Sequence, residues 1–172
     1  MPFSPDALAA ALAAEQGFTA DLAEAWSHAV DAEMTARLAG IDMKALSIRQ
    51  RIRTAVLTRL EILTPDKAAA RRAALYLALP TSLPLALRLT WRTADRMWIA
   101  AGDAAADFNW YTKRASLAAV YAATEVAWFG DDTPDVSKTK GFLDGRIENV
   151  MQYERFKARM RSACRPKGTA SP

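Results

Sequence analysis

The chain has 172 residues, 51% of them hydrophobic, enough for one domain with a core of its own. A single histidine and a single cysteine exclude a Cys/His zinc cluster and an internal disulfide. The net charge of +4 is a property of one end: Gln152 to Pro172 carries six Lys and Arg against Glu154, whereas Met1 to Ala36 carries six acids and no Lys or Arg. An opening of that sign repels nucleic-acid phosphate, so a nucleic-acid partner is not expected.

Alanine abundance and the scarcity of β-branched runs predict helices throughout. Ser4, Pro5 and Asp6 supply a cap, a first-turn proline and a dipole-favourable acid for a short helix ending near Gly17. Asp6 and Glu15, with no base before Gln16, are unlike a signal or transit peptide. Thr19 caps a second helix that buries Leu22, Trp26, Val30, Met34 and Leu38 before Gly40. The third is expected from about Met43 to Leu63, with Ile48, Ile52, Val56 and Leu60 inward and Arg49, Arg53 and Arg59 mostly outward. Thr64, Pro65 and Asp66 start a fourth, whose end is nearly all apolar.

Pro80 and Pro84 bracket a turn into a fifth helix, about Leu83 to Ala101, on which Leu83, Leu87, Thr90, Trp91, Ala94 and Trp98 share a face; Gly102 ends it. The apolar excess of the fourth and fifth helices, Leu75 to Trp98, exceeds one stripe per helix, so both faces are buried or one lines a cavity. Asp107 can cap the sixth helix, in which Leu117, Val120, Tyr121, Thr124 and Trp128 form one buried stripe. Between cap and stripe stand Phe108, Asn109, Trp110 and Tyr111, more aromatic surface than one turn can hide. They make either a contact site or a staple for the incoming chain. Thr133, Pro134 and Asp135 open a last helical pattern to about Ala163, weakened near Gly141 and Gly145. Its end places Tyr153, Phe156, Met160 and Cys164 at helical spacing among Arg155, Lys157, Arg159 and Arg161. That is the composition of a helix lying on an anionic membrane surface, or of a last bundle helix with a basic face.

The stretch GDAAADFNWYTKRASLAAVYAATEVAW, with PLALRLTWRTADRMWIAAGD before it and DDTPDVSKTKGFLDGRI after it, resembles the signature of the ubiquinone-biosynthesis accessory lipid-binding family, relatives of the tetracycline-repressor-type regulators. The resemblance covers Leu79 to about Met151. It implies an all-α, non-enzymatic protein whose single helical bundle is like the ligand-binding part of those regulators. Such a protein holds isoprenoid lipid or a ubiquinone precursor, presents it to a di-iron demethoxyubiquinone hydroxylase, and pairs as a homodimer. Asp107, Trp110 and Tyr111 match the partner contact; Leu79, Leu83, Leu87, Met97, Trp98, Leu117 and Tyr121 become the expected lipid wall. Tyr153, Phe156, Met160, Arg155, Lys157 and Arg159 become the expected membrane contact, on the cytoplasmic inner face of the membrane.

The expected division is a remnant of a helix-turn-helix and its connecting helix over 1–40, a lipid-binding bundle over 41–151, a basic amphipathic helix over 152–165 and a disordered tail over 166–172. Ser4 to Ala14 corresponds by spacing to the last helix of that DNA-reading unit, so its first two helices are not expected here. The alternative reading is a small-molecule-sensing regulator without a complete DNA-binding unit. No Glu-x-x-His pair, glycine-rich phosphate loop or Gly-x-Ser-x-Gly elbow appears, so no catalytic residue, metal or cofactor is assigned.

Overall fold

A helix begins where side chains satisfy its first backbone N–H groups, and the caps set most boundaries here. The computed structural model describes residues 19–102 and 109–163, with side chains for 19–102 and 110–152. The expected helix over Ser4 to Ala14, Asp107 and the side chains of the basic tail lie outside the described residues. Among the described residues every regular element is helical: α1 (Ala20–Ala39), α2 (Ile48–Leu63), α3 (Lys67–Leu77), α4 (Leu83–Ala100), α5 (Asn109–Phe129) and α6 (Ser137–Ala163), with short 3-10 turns at 43–45, 64–66 and 80–82.

Thr19 caps α1 by accepting from the Leu22 N–H. α2, expected from about Met43, starts later than its periodicity predicts. Ser47 and Gln50 form a reciprocal capping box at Ile48, and Met43 to Ala45 turn separately under an Asp42 cap. At the far end of α4, Gly102 adopts φ +85°, where an added Cβ would stand 3.3 Å from Arg51 Nη1. The same guanidinium donates to the carbonyls of Ala101 (2.9 Å) and Leu46 (2.9 Å), tying the end of α4 to the start of α2.

α2 lies at the centre, packed on α1, α4, α5 and α6, while α5 lies between α4 and α6. The core takes Trp26, Val30, Met34 and Leu38 from α1, Val56 and Leu60 from α2, Met97 from α4, Trp128 from α5 and Leu143 from α6. The α5 stripe is buried as its spacing predicts. Two α2 residues are not: Ile48, expected inside, is 44% exposed at the helix start, and Arg59, expected outside, is buried.

Arg59 is buried because α1 offers it a carboxylate. Asp31, wholly inaccessible, accepts from Arg59 Nε (3.0 Å), Thr93 Oγ1 (3.0 Å) and Arg92 Nη2 (3.1 Å). On its other side the Arg59 guanidinium donates to the Tyr121 hydroxyl, which in turn donates to Glu125. Burial alone would lower the Arg59 pKa, but Tyr121, Asp31 and Glu125 around it hold it above the ordinary arginine value. Burial raises Tyr121 well above the usual tyrosine value, so the phenol keeps its proton. One cluster thus joins α1, α2, α4 and α5.

The turn from α5 to α6 closes on Asp131, whose carboxylate accepts from the hydroxyls and backbone N–H groups of Thr133 and Thr139. These bonds, the Thr133 hydroxyl first, hold its carboxyl far below the usual range. Lys67 donates to the Asp131 carbonyl (2.7 Å) and fastens α3 to the same turn. α6 then runs unbroken from Ser137 to Ala163 through Gly141 and Gly145, held to α2 by Arg49–Glu148 and Arg53–Asp144.

Removing one member of the buried cluster strands the others. Asp31→Ala is expected to cost about 3–5 kcal/mol in denaturant unfolding, and the double variant Asp31→Leu, Arg59→Met to recover part of that loss; a double variant as unstable as the sum of the singles would contradict this account. For Asp131, the depressed folded pKa stabilises the fold above the unfolded value near 3.9, and that stability is lost as pH falls through the folded value. The stability gap between wild type and Asp131→Asn should therefore be full at neutral pH and shrink steadily in acid unfolding below about pH 4.

Candidate functional site

The polar cluster fixes the rotation of α4. With Thr93 bonded to Asp31, the buried face of the helix is Leu89, Thr93, Ala94 and Met97. Leu83 and Leu87, expected inward, are turned out and stand 51% and 64% exposed. Periodicity missed this because α4 is apolar on several sides, and the polar anchor rather than the apolar count chooses the inner face.

Trp91 follows Leu83 and Leu87 at four-residue spacing and is half-buried. Its ring lies 5.8 Å from Trp110 and 6.2 Å from Tyr111, and those two pack edge to face at 4.7 Å. Tyr111 is 65% exposed. The outer face of α4 therefore runs through Leu83, Leu87 and Trp91 onto the first turn of α5.

A buried charge holds that turn in place. Arg114, one turn after Trp110, is 2% exposed, pairs with Asp95 of α4, and stands 4.0 Å over the Trp110 ring. Trp98 donates its indole N–H to the Lys113 carbonyl (3.0 Å), with the Lys113 ammonium 5.6 Å from its ring. Neither Asp95 nor Arg114 stood out in the sequence. Their signal is positional only: an acid on α4 and a base one turn into α5, both on faces otherwise apolar.

Two of the three expected partner residues, Trp110 and Tyr111, thus adjoin one another at an accessible edge; Asp107 lies outside the described residues. The seven expected lipid-wall residues are not brought together. Leu79, Leu83 and Leu87 are exposed around the corner between α3 and α4, whereas Met97, Leu117 and Tyr121 are in the core and Trp98 is half-buried between α4 and α5. For Tyr121 the position is polar, between Arg59 and Glu125. Of the expected membrane residues only the backbone is described, in the last turns of α6. Among the described residues no group of three or more His, Cys, Asp or Glu is placed to hold a metal ion.

Fold and site together define a helical bundle with an exposed aromatic and leucine-rich face. Residues 83–154, which include Trp91, Trp110 and Tyr111, match the COQ9 family model. The mitochondrial ubiquinone biosynthesis protein COQ9 of Rattus norvegicus is 45% identical over 102 residues, 59% of this chain and 33% of that protein. That of Homo sapiens is 44% identical over 102 residues (59% and 32%), and that of Drosophila melanogaster 35% over 100 (58% and 31%). The matched stretch spans about a third of the length of these relatives. Through it, residues 83–154 of this chain are similar to the COQ9 family of ubiquinone biosynthesis proteins.

Arg114→Met should leave Asp95 without its buried partner and cost about 1–3 kcal/mol in unfolding, with a change in tryptophan emission as Trp110 loses its cation. Tyr111→Ala trims an exposed ring and should stay within about 0.5 kcal/mol of wild type.

Proposed function

We propose that this chain is a non-catalytic accessory protein of ubiquinone biosynthesis that holds an isoprenoid lipid or ubiquinone precursor and presents it to a demethoxyubiquinone hydroxylase. The observation that carries the reading is a coincidence of place: the stretch similar to COQ9 is the one that forms the accessible aromatic edge. Trp110 and Tyr111, with Trp91 behind them, form the grip on the hydroxylase, and Asp107 belongs to the same contact. Large aromatic rings suit this role because they supply contact area at small entropic cost and are enriched at interface hot spots.

The work is physical. A polyprenyl chain favours the bilayer by about 0.8 kcal/mol per buried methylene, so a soluble active site reaches its ring poorly unless a carrier lifts or steers it. Apolar side chains of α4 and α5 supply the lipid contact, the basic end of α6 lies along the inner face of the membrane, and two chains pair as a homodimer. The regions before residue 41 and after residue 151 then act as a connecting segment and a membrane helix around the lipid-binding bundle.

Trp110→Ala and Tyr111→Ala should each weaken binding to the purified hydroxylase at least about tenfold, or 1.4 kcal/mol, with an unchanged far-ultraviolet circular dichroism spectrum. Wild-type binding by both variants would overturn the assignment. Native mass spectrometry of the purified chain, alone and with the hydroxylase, should report bound isoprenoid, two subunits and the complex.

A further inference from the structure

The sequence from Lys67 to Ala94 contains no aspartate or glutamate. Of its five cations, three are engaged: Lys67 with the Asp131 carbonyl, Arg88 with Glu24 (2.7 Å) and Arg92 with Asp31 (3.1 Å). Arg71 and Arg72 are exposed on α3, and among the described residues neither is joined to a carboxylate. Next to them the chain leaves four leucines in water: Leu75 is 64% exposed, Leu79 48%, Leu83 51% and Leu87 64%.

These side chains surround a corner. The helical limb ending at Leu77 and the limb beginning at Pro80 meet at 90°. No single described helix is long and apolar enough to cross a membrane; the two limbs reach that apolar length only together, and they are bent. An apolar corner with uncompensated positive charge beside it fits the boundary of a bilayer, where leucines enter the acyl region and guanidinium groups meet anionic headgroups.

We propose that the corner between α3 and α4 is a membrane seat, in which Leu75, Leu79, Leu83 and Leu87 insert into an anionic bilayer and Arg71 and Arg72 bind its headgroups. The seat is separate from the basic end of α6 and requires neither isoprenoid nor hydroxylase. An acid-free segment favours this occupant over a general protein partner, because its unpaired charge is met by a surface that is anionic everywhere rather than by particular carboxylates.

The test uses the full chain and vesicles of phosphatidylcholine, alone or with roughly a third phosphatidylglycerol. An environment-sensitive fluorophore is placed at L79C in a Cys164→Ser background. Its emission should shift to the blue on the anionic vesicles and much less on the neutral ones. The Arg71→Gln, Arg72→Gln double variant should weaken co-sedimentation with anionic vesicles about thirtyfold, and Leu79→Asp or Leu83→Asp at least about tenfold, with unchanged thermal unfolding. A probe that stays unshifted while the chain binds through its tail would overturn the seat. So would equal response to both vesicles, no binding to either, or a shift produced by the purified hydroxylase and not by lipid.

Discussion

The contact between Asp31 and Arg59 decides more of this structure than any apolar pair. A wholly buried carboxylate is tolerated only if charge and hydrogen bonds surround it, and Asp31 receives them from α2 and α4 at once. Those bonds specify which sides of three helices face one another. α4 could bury several alternative faces with similar apolar area, and the requirement that Thr93 and Arg92 reach Asp31 selects one. The leucines on the opposite side are outside as a consequence.

A second polar contact repeats the device at the end of α4. Asp95 and Arg114 are to the α4–α5 pair what Asp31 and Arg59 are to the core, with Arg114 also stacked on Trp110. The first turn of α5 is thereby seated by its buried base, leaving Tyr111 free to face water. For the contact proposed at this edge, side chains held in place beforehand lose less freedom on binding. The buried pair supplies that order without covering the aromatic edge.

The sequence made the helices legible where local chemistry is decisive. The caps at Thr19 and Gly102 and the 3.6-residue stripe of α5 are local signals, and the structure follows them. The start of α2 was misread because a capping box outranks continued periodicity, and Arg59 because a lone arginine reads as solvated until a buried acid from another helix is placed beside it. The aromatic edge was legible as surplus: Trp110 and Tyr111 exceed what one turn can hide. The outward rotation of Leu83 and Leu87 was not, because it depends on the long-range contact of Thr93 with Asp31. The family signature could be read without the fold because it is a string of residue identities; the arrangement of the site could not.

The cost of the arrangement is informative. Each leucine left about half in water forgoes part of the about 1.5–3 kcal/mol that full burial would supply, and four of them lie between Leu75 and Leu87. Single exposed apolar residues are common and carry no message, whereas a cluster beside an aromatic edge does. Rotating α4 to bury Leu83 and Leu87 would carry Thr93 and Arg92 away from Asp31 and strand that carboxylate, so the polar core blocks the repair that hydrophobicity alone favours. The same buried charges that give the bundle a unique packing therefore keep its outer face apolar and exposed.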